Sequence, residues 1–155
     1  MNKNGGTSMI PTNLWEHQNE MKALYSKCVG GVCKKYGIAR IELDILLFLA
    51  NNPAYDTATD IVEIRYLTKS QVSSAIKHME GCGYLCKEYS EDNRKTAHLH
   101  ICDIAAEIVA DGRTAQRRFF EIMTEGIPQS ELAAMKRCIN RISENINCYL
   151  KNAIR

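Results

Sequence analysis

Thr68-Lys69-Ser70-Gln71-Val72-Ser73-Ser74-Ala75-Ile76-Lys77-His78-Met79-Glu80, continued by Gly81-Cys82-Gly83-Tyr84-Leu85, decides the fold of this chain. Thr68 is a capping residue and Gln71 stands three positions on, the spacing of a capping box that opens a helix. Val72, Ala75, Ile76 and Met79 then recur at helical spacing, so one face is apolar and must pack. The opposite face carries Ser70, Gln71, Ser73, Ser74, Lys77 and His78, side chains that are short or rich in donors. Gly81 and Gly83 end the helix.

The flanking segments give this helix its meaning. Upstream, Thr57 and Asp60 form a second Thr-x-x-acid box, followed by Ile61, Val62, Ile64 and Leu67. Only Arg65 to Leu67 separate the two predicted helices, and that turn lacks a glycine. Downstream, Tyr84 to Tyr89 and Thr96 to Cys102 read as strands; Ala97, Leu99 and Ile101 alternate with Thr96, His98 and His100. The charged segment Ser90-Glu91-Asp92-Asn93-Arg94-Lys95 is the expected loop between them. Helix, turn, helix, strand, loop, strand is the order of a winged helix-turn-helix, in which the second helix enters the major groove of double-stranded DNA. The expected fold class is mainly α with a small β-hairpin wing.

These residues resemble the MarR family of bacterial transcriptional regulators. The likeness lies in Leu67-Thr68-Lys69-Ser70-Gln71-Val72-Ser73, Gly83-Tyr84-Leu85, Asp92-Asn93-Arg94 and His98-Leu99. It extends to Ile41-Glu42-Leu43-Asp44-Ile45-Leu46, Thr57-Ala58-Thr59-Asp60-Ile61-Val62 and Arg141-Ile142-Ser143-Glu144-Asn145-Ile146. The family's wing has a basic residue where this chain has Asn93, and often an Arg where it has Lys95. Arg94 is retained, and the resemblance implies that it reaches the minor groove while Lys95 meets a phosphate. The resemblance also implies a homodimer with interlocking termini, a pseudo-palindromic operator, and control by a small effector bound between the dimer helices and the winged part. Relatives mostly repress.

The expected DNA-contacting set is Arg65, Thr68, Lys69, Ser70, Gln71, Ser73, Ser74, Lys77, His78, Arg94 and Lys95. Gln71, Ser73, Ser74 and Lys77 are the candidates for reading sequence. Charge alone does not point to nucleic acid: the net charge of the 155 residues is +2, and between Thr57 and Cys102 six basic residues meet six acidic ones. DNA binding therefore requires the basic side chains to share a face.

The chain ends are helical. Leu14, Met21, Leu24, Tyr25, Cys28 and Val32 recur at helical spacing, with Gly30-Gly31 expected to interrupt that helix. Ile41, Ile45, Leu46, Phe48 and Leu49 mark a more buried helix ended by Asn51-Asn52-Pro53. A long helix is expected from a cap at Asp103 to Glu125. Beyond Gly126 and Pro128, Leu132, Met135, Ile139, Ile142, Ile146 and Tyr149 form a seam like that of a coiled coil. Leu14, Met21, Leu132, Met135, Ile139, Ile142 and Ile146 are the expected dimer interface. The organisation read from this is a flexible arm over 1–11 and a single domain over 12–155. Within that domain 39–102 is the winged helix, and 12–35 with 103–155 form N- and C-terminal dimerisation helices.

Seven cysteines, an odd number without Cys-x-x-Cys, argue against a disulfide framework. Cys82 and Cys86 straddle the junction of helix and wing. His98 and His100 share a strand face, a weak zinc signal without further ligands. No nucleophile–base constellation, phosphate loop or carboxylate pair supports an enzyme, and no cofactor or metal is expected. No apolar run reaches membrane-span length and the start of the chain is polar, so a cytoplasmic location is expected. Two alternatives stay open: a winged helix that binds protein, and a regulator that senses metal or redox state.

Overall fold

A computed structural model describes residues 14–90 and 93–153. Its elements, in chain order, are α1 (Leu14–Tyr36), α2 (Arg40–Asn51), α3 (Ala58–Arg65), α4 (Lys69–Gly81), β1 (Leu85–Ser90), β2 (Asn93–Ile101), a short 3-10 turn (Asp103–Ala105), α5 (Ala106–Met123) and α6 (Gln129–Ala153). The chain is mainly helical with one two-stranded antiparallel hairpin, a winged helix as the sequence predicted. The backbone divides into two units, Met1–Phe119 and Phe120–Arg155. The expected arm over 1–11 lies outside the described residues.

The first unit is built on α2. Leu43, Ile45, Leu46, Leu47, Phe48 and Leu49 are all buried, and α1, α4 and β2 pack around them. Ile61 of α3, the stripe Val72, Ala75, Ile76 and Met79 of α4, Leu85 and Leu99 of the hairpin, and Ile108 of α5 complete one core. Gly112 lets α5 approach α2 closely: a Cβ there would lie 2.8 Å from Leu47 Cδ2 and 3.1 Å from Leu43 Cδ1.

Three local expectations are corrected. Gly30-Gly31 does not interrupt α1, which runs unbroken to Tyr36 and ends at Gly37 with φ 64°. Burial of the adjacent Val29 and Val32 outweighs the helix preference lost at two glycines. Asp103 does not cap a long helix; it begins the 3-10 turn that precedes α5.

The third correction is in the wing. Cα partners run from Leu85↔Ile101 to Tyr89↔Ala97, then jump to Ser90↔Asn93. Three residues, Arg94 to Thr96, are thus intercalated on β2, so most of the expected loop is strand. A solvated two-stranded ribbon needs only backbone pairing, and a bulge absorbs the surplus residues. Ahead of α3, Thr57 bridges His98 and Asp56 O accepts from Leu99 N at 2.7 Å, which ties the helix-turn-helix to the hairpin.

Candidate nucleic-acid interface

The two capping boxes close as the sequence predicted. Thr57 Oγ1 accepts from Asp60 N at 3.1 Å, and Asp60 Oδ2 accepts from Thr57 N at 3.0 Å. Thr68 Oγ1 accepts from Gln71 N at 3.2 Å, and Gln71 Oε1 accepts from Thr68 N at 3.1 Å and from Thr68 Oγ1 at 2.9 Å. One functional consequence concerns Gln71. Its amide oxygen is committed to the cap, which leaves the amide NH₂ as the group free to face outward.

Between the boxes, α3 ends at Tyr66 with φ 53° and ψ 38°, in the left-handed region. That is the position at which the sequence offers no glycine. At the other end of α4, Gly83 takes φ 74°, and Tyr84 N donates to Met79 O at 2.9 Å, turning the chain into β1.

The α4 stripe Val72, Ala75, Ile76 and Met79 is buried, and Ser70, Gln71, Ser73, Ser74, Lys77 and His78 are exposed. Arg65, Thr68 and Lys69 are exposed at the turn and the first turn of α4, and Lys95 is exposed on β2. The Arg94 side chain lies outside the described residues.

His78 is the exception on this face, because its ring already has a partner: Nδ1 lies 2.5 Å from Glu42 Oε1. Glu42 is a buried carboxylate, 4% exposed, whose other oxygen accepts from Ala39 N at 2.7 Å. Its importance was missed in the sequence; Ala39 at the cap position, which has no side-chain acceptor of its own, was the available signal. His78 Nε2 lies 3.8 Å from Cys82 Sγ.

A cavity of about 460 Å³ opens between α3, α4 and β1. Val62, Val72 and Ile76 supply its apolar lining; Lys69, Lys87, Glu63, Thr59 and Ser73 supply polar groups. Lys87 Nζ is held by Glu80 Oε2 at 2.6 Å.

The register sets Cys86 opposite His100 and Glu88 opposite His98, while the His98 ring pairs with Asp56 Oδ1 at 2.9 Å. Burial, followed by hydrogen bonding from Cys86, pushes the Cys102 thiol above its usual range. Among the described residues no group of three His, Cys, Asp or Glu side chains is placed to hold a metal ion. No helix among them is long and apolar enough to cross a membrane.

In the second unit, the apolar side chains of α6 face outward: Met135, Ile139, Ile142 and Ile146 are 41%, 52%, 56% and 53% exposed. Leu132 is half-buried beside a cavity of about 380 Å³ shared with Phe120, Met135 and Ile139. On α1, Met21 is exposed, and the Leu14 side chain lies outside the described residues.

Two capped helices across a tight turn, followed by a hairpin, define a winged helix-turn-helix protein. Residues 36–95 match the model of the MarR family, and over this winged-helix part the chain is similar to that family. The fold is similar to a MarR family transcriptional regulator from Listeria monocytogenes solved in complex with 26mer DNA (TM-score 0.77, 18% identity, 88% of this chain and 90% of that one). It is also similar to a MarR protein from Peptoclostridium difficile (TM-score 0.72, 16% identity, 94% and 95% covered). A MarR transcriptional regulator from Methanosarcina mazei gives TM-score 0.72 at 14% identity, with 87% and 96% covered. Comparison with curated protein sequences gives no match.

Proposed function

We propose that this chain is a homodimeric, sequence-specific DNA-binding transcriptional repressor that works in the cytoplasm on a pseudo-palindromic operator. The observation that carries the reading is the division of α4: four apolar side chains turned into the core, and an outward face of donors and short side chains followed directly by a hairpin. The Listeria relative of the same fold holds DNA. Arg65, Thr68, Lys69 and Ser70 set register on phosphates, and Gln71, Ser73, Ser74 and Lys77 face the base edges. Arg94 enters the minor groove and Lys95 meets a phosphate.

The outward apolar stripe of α6 supports the dimer. Four large side chains at 41–56% exposure form a seam whose burial in water is favourable. The cavity beside α4 supports a small effector: its lining is apolar at Val62, Val72 and Ile76 and includes Lys69 and Ser73, two of the side chains assigned to DNA, so an occupant there competes with the operator for them. An effector at this place accounts for release of the operator without metal or cofactor chemistry.

The test is selection of bound fragments from the host genome by the full-length protein, followed by electrophoretic shift. A two-fold motif with half-sites about one helical turn apart is the expected result. Failure to enrich any sequence sinks the reading and leaves a protein-binding winged helix in its place.

A further inference from the structure

Tyr66 stands where three observations conflict with a structural role. Its backbone is left-handed, φ 53° and ψ 38°, a conformation disfavoured for every residue that carries a Cβ and open to glycine. It is 90% exposed, so burial of the ring does not compensate. Among the described residues its hydroxyl makes no hydrogen bond and its ring no aromatic or cation contact. Tyr66 is also the only non-glycine residue with positive φ among the described residues. A strained backbone that presents an unpartnered aromatic to solvent is a feature that folding does not require, and such features gather at binding sites.

Its place narrows the partner. Tyr66 joins α3 to the loop that caps α4, with exposed Arg65 on one side and exposed Thr68 and Lys69 on the other. When a helix-turn-helix docks, the first helix crosses the backbone and the start of the second meets base edges, so the turn between them runs beside the sugar–phosphate chain. A tyrosine hydroxyl donates to phosphate oxygen, and the ring offers apolar contact to deoxyribose while losing little rotamer freedom.

We propose that Tyr66 is an uncharged anchor on the DNA backbone, its hydroxyl donating to a phosphate and its ring lying against the adjoining sugar. This rests on the DNA-binding reading above. A glycine at this turn would favour folding; tyrosine there favours the complex.

The experiment compares wild type, Tyr66→Phe and Tyr66→Gly as full-length proteins on a duplex selected by wild type from a random-sequence library. Affinity is measured over a salt series, and Tm in the absence of DNA. Tyr66→Gly is expected to have a Tm no lower than wild type and an affinity about ten-fold weaker, the worth of a hydrogen bond to a charged group. Tyr66→Phe, which keeps the ring and the strain, is expected to lose most of that ten-fold. Both variants keep the wild-type log–log salt slope, because a neutral hydroxyl displaces no counterion. Base preferences are unchanged. Wild-type affinity in Tyr66→Phe, a shallower slope in either variant, or a fall in Tm with Tyr66→Gly overturns the proposal. If wild type itself selects no duplex, the DNA-binding reading fails rather than the role of Tyr66.

Discussion

Glu42 of α2 and His78 of α4 are joined, Oε1 to Nδ1 at 2.5 Å, while the other oxygen of Glu42 accepts the backbone N–H of Ala39 at 2.7 Å. One buried carboxylate thus starts the central helix and fastens the helix that carries the candidate DNA-facing side chains. It adds a polar tie between α2 and α4 to the apolar packing of Val72, Ala75, Ile76 and Met79.

Glu42→Ala is therefore expected to destabilise the fold by about 2–3 kcal/mol, from loss of the cap bond and of the contact to His78. His78→Ala removes the second contact alone and is expected to cost about 1 kcal/mol. Denaturant unfolding of the two variants gives both values. Because the His78 ring is occupied, His78→Ala should leave base preferences intact; a changed preference at one base pair would make His78 a reader of DNA instead.

The close approach at Gly112 gives a second stability prediction. A valine there brings branched carbons into Leu47 and Leu43, where even a single Cβ would lie 2.8 Å from Leu47. Overpacking of this kind costs about 1–3 kcal/mol, so Tm should fall by roughly 2–4 °C per kcal/mol. An unchanged Tm would mean that α5 can move off α2.

A third prediction concerns acid. Asp111 of α5 accepts from Lys35 Nζ at 2.7 Å and from Tyr36 Oη at 2.8 Å. The hydrogen bond from Lys35, then that from Tyr36, holds its carboxyl below the usual range, and the same bond raises Lys35. A carboxyl whose folded pKa is depressed contributes stability above its unfolded pKa and loses it as pH falls through the folded pKa. Wild type should therefore lose stability below about pH 4 more steeply than Asp111→Asn. The lysine side of the pair stays constant there, since its raised pKa acts only at strongly alkaline pH. Both groups are exposed, so the difference should shrink in high salt. Equal acid limbs for the two proteins would remove Asp111 from the account.

The proposed dimer seam on α6 is tested by Ile139→Asp with Ile142→Asp. Carboxylates buried without partners are costly, so sedimentation should show monomers and operator binding should be lost with the dimer. An intact dimer would place the interface elsewhere than on α6.

Most of the fold was legible because strong local signals agreed: two capping boxes, the Val72–Met79 stripe and period-two alternation in β2. What escaped the sequence was set by tertiary terms. Val29 and Val32 keep α1 whole across two glycines that propensity alone would break. The strands of the wing extend through polar residues because backbone pairing, unlike apolar alternation, leaves no trace in side-chain pattern. Glu42 and Tyr66 escaped for a related reason. The partner of Glu42 is 36 positions away in sequence, and the significance of Tyr66 is a backbone angle at a turn whose missing glycine was visible but whose left-handed geometry was not.

The final prediction separates capping from reading at Gln71. Its amide oxygen closes the box with Thr68, so Gln71→Ala removes a cap and a base-facing group together, and its effect on affinity is ambiguous. Gln71→Glu resolves the two. Glutamate keeps the acceptor that the box needs, so stability should remain within about 0.5 kcal/mol of wild type. The NH₂ donor is lost, so preference should relax or change at one base pair in each half-site, symmetrically, because a two-fold dimer reads both halves with the same residue. The added negative charge also lowers affinity for every sequence, which is why base preference and not affinity is the deciding quantity. Lys69→Ala supplies the contrast: lower affinity for all duplexes, unchanged preferences, and a salt slope shallower by about one unit. Selection of random-sequence DNA by the three variants in parallel gives these quantities. If Gln71→Glu keeps every wild-type preference, Gln71 is a cap alone, and reading belongs to Ser73, Ser74, Lys77 or the shape of the duplex.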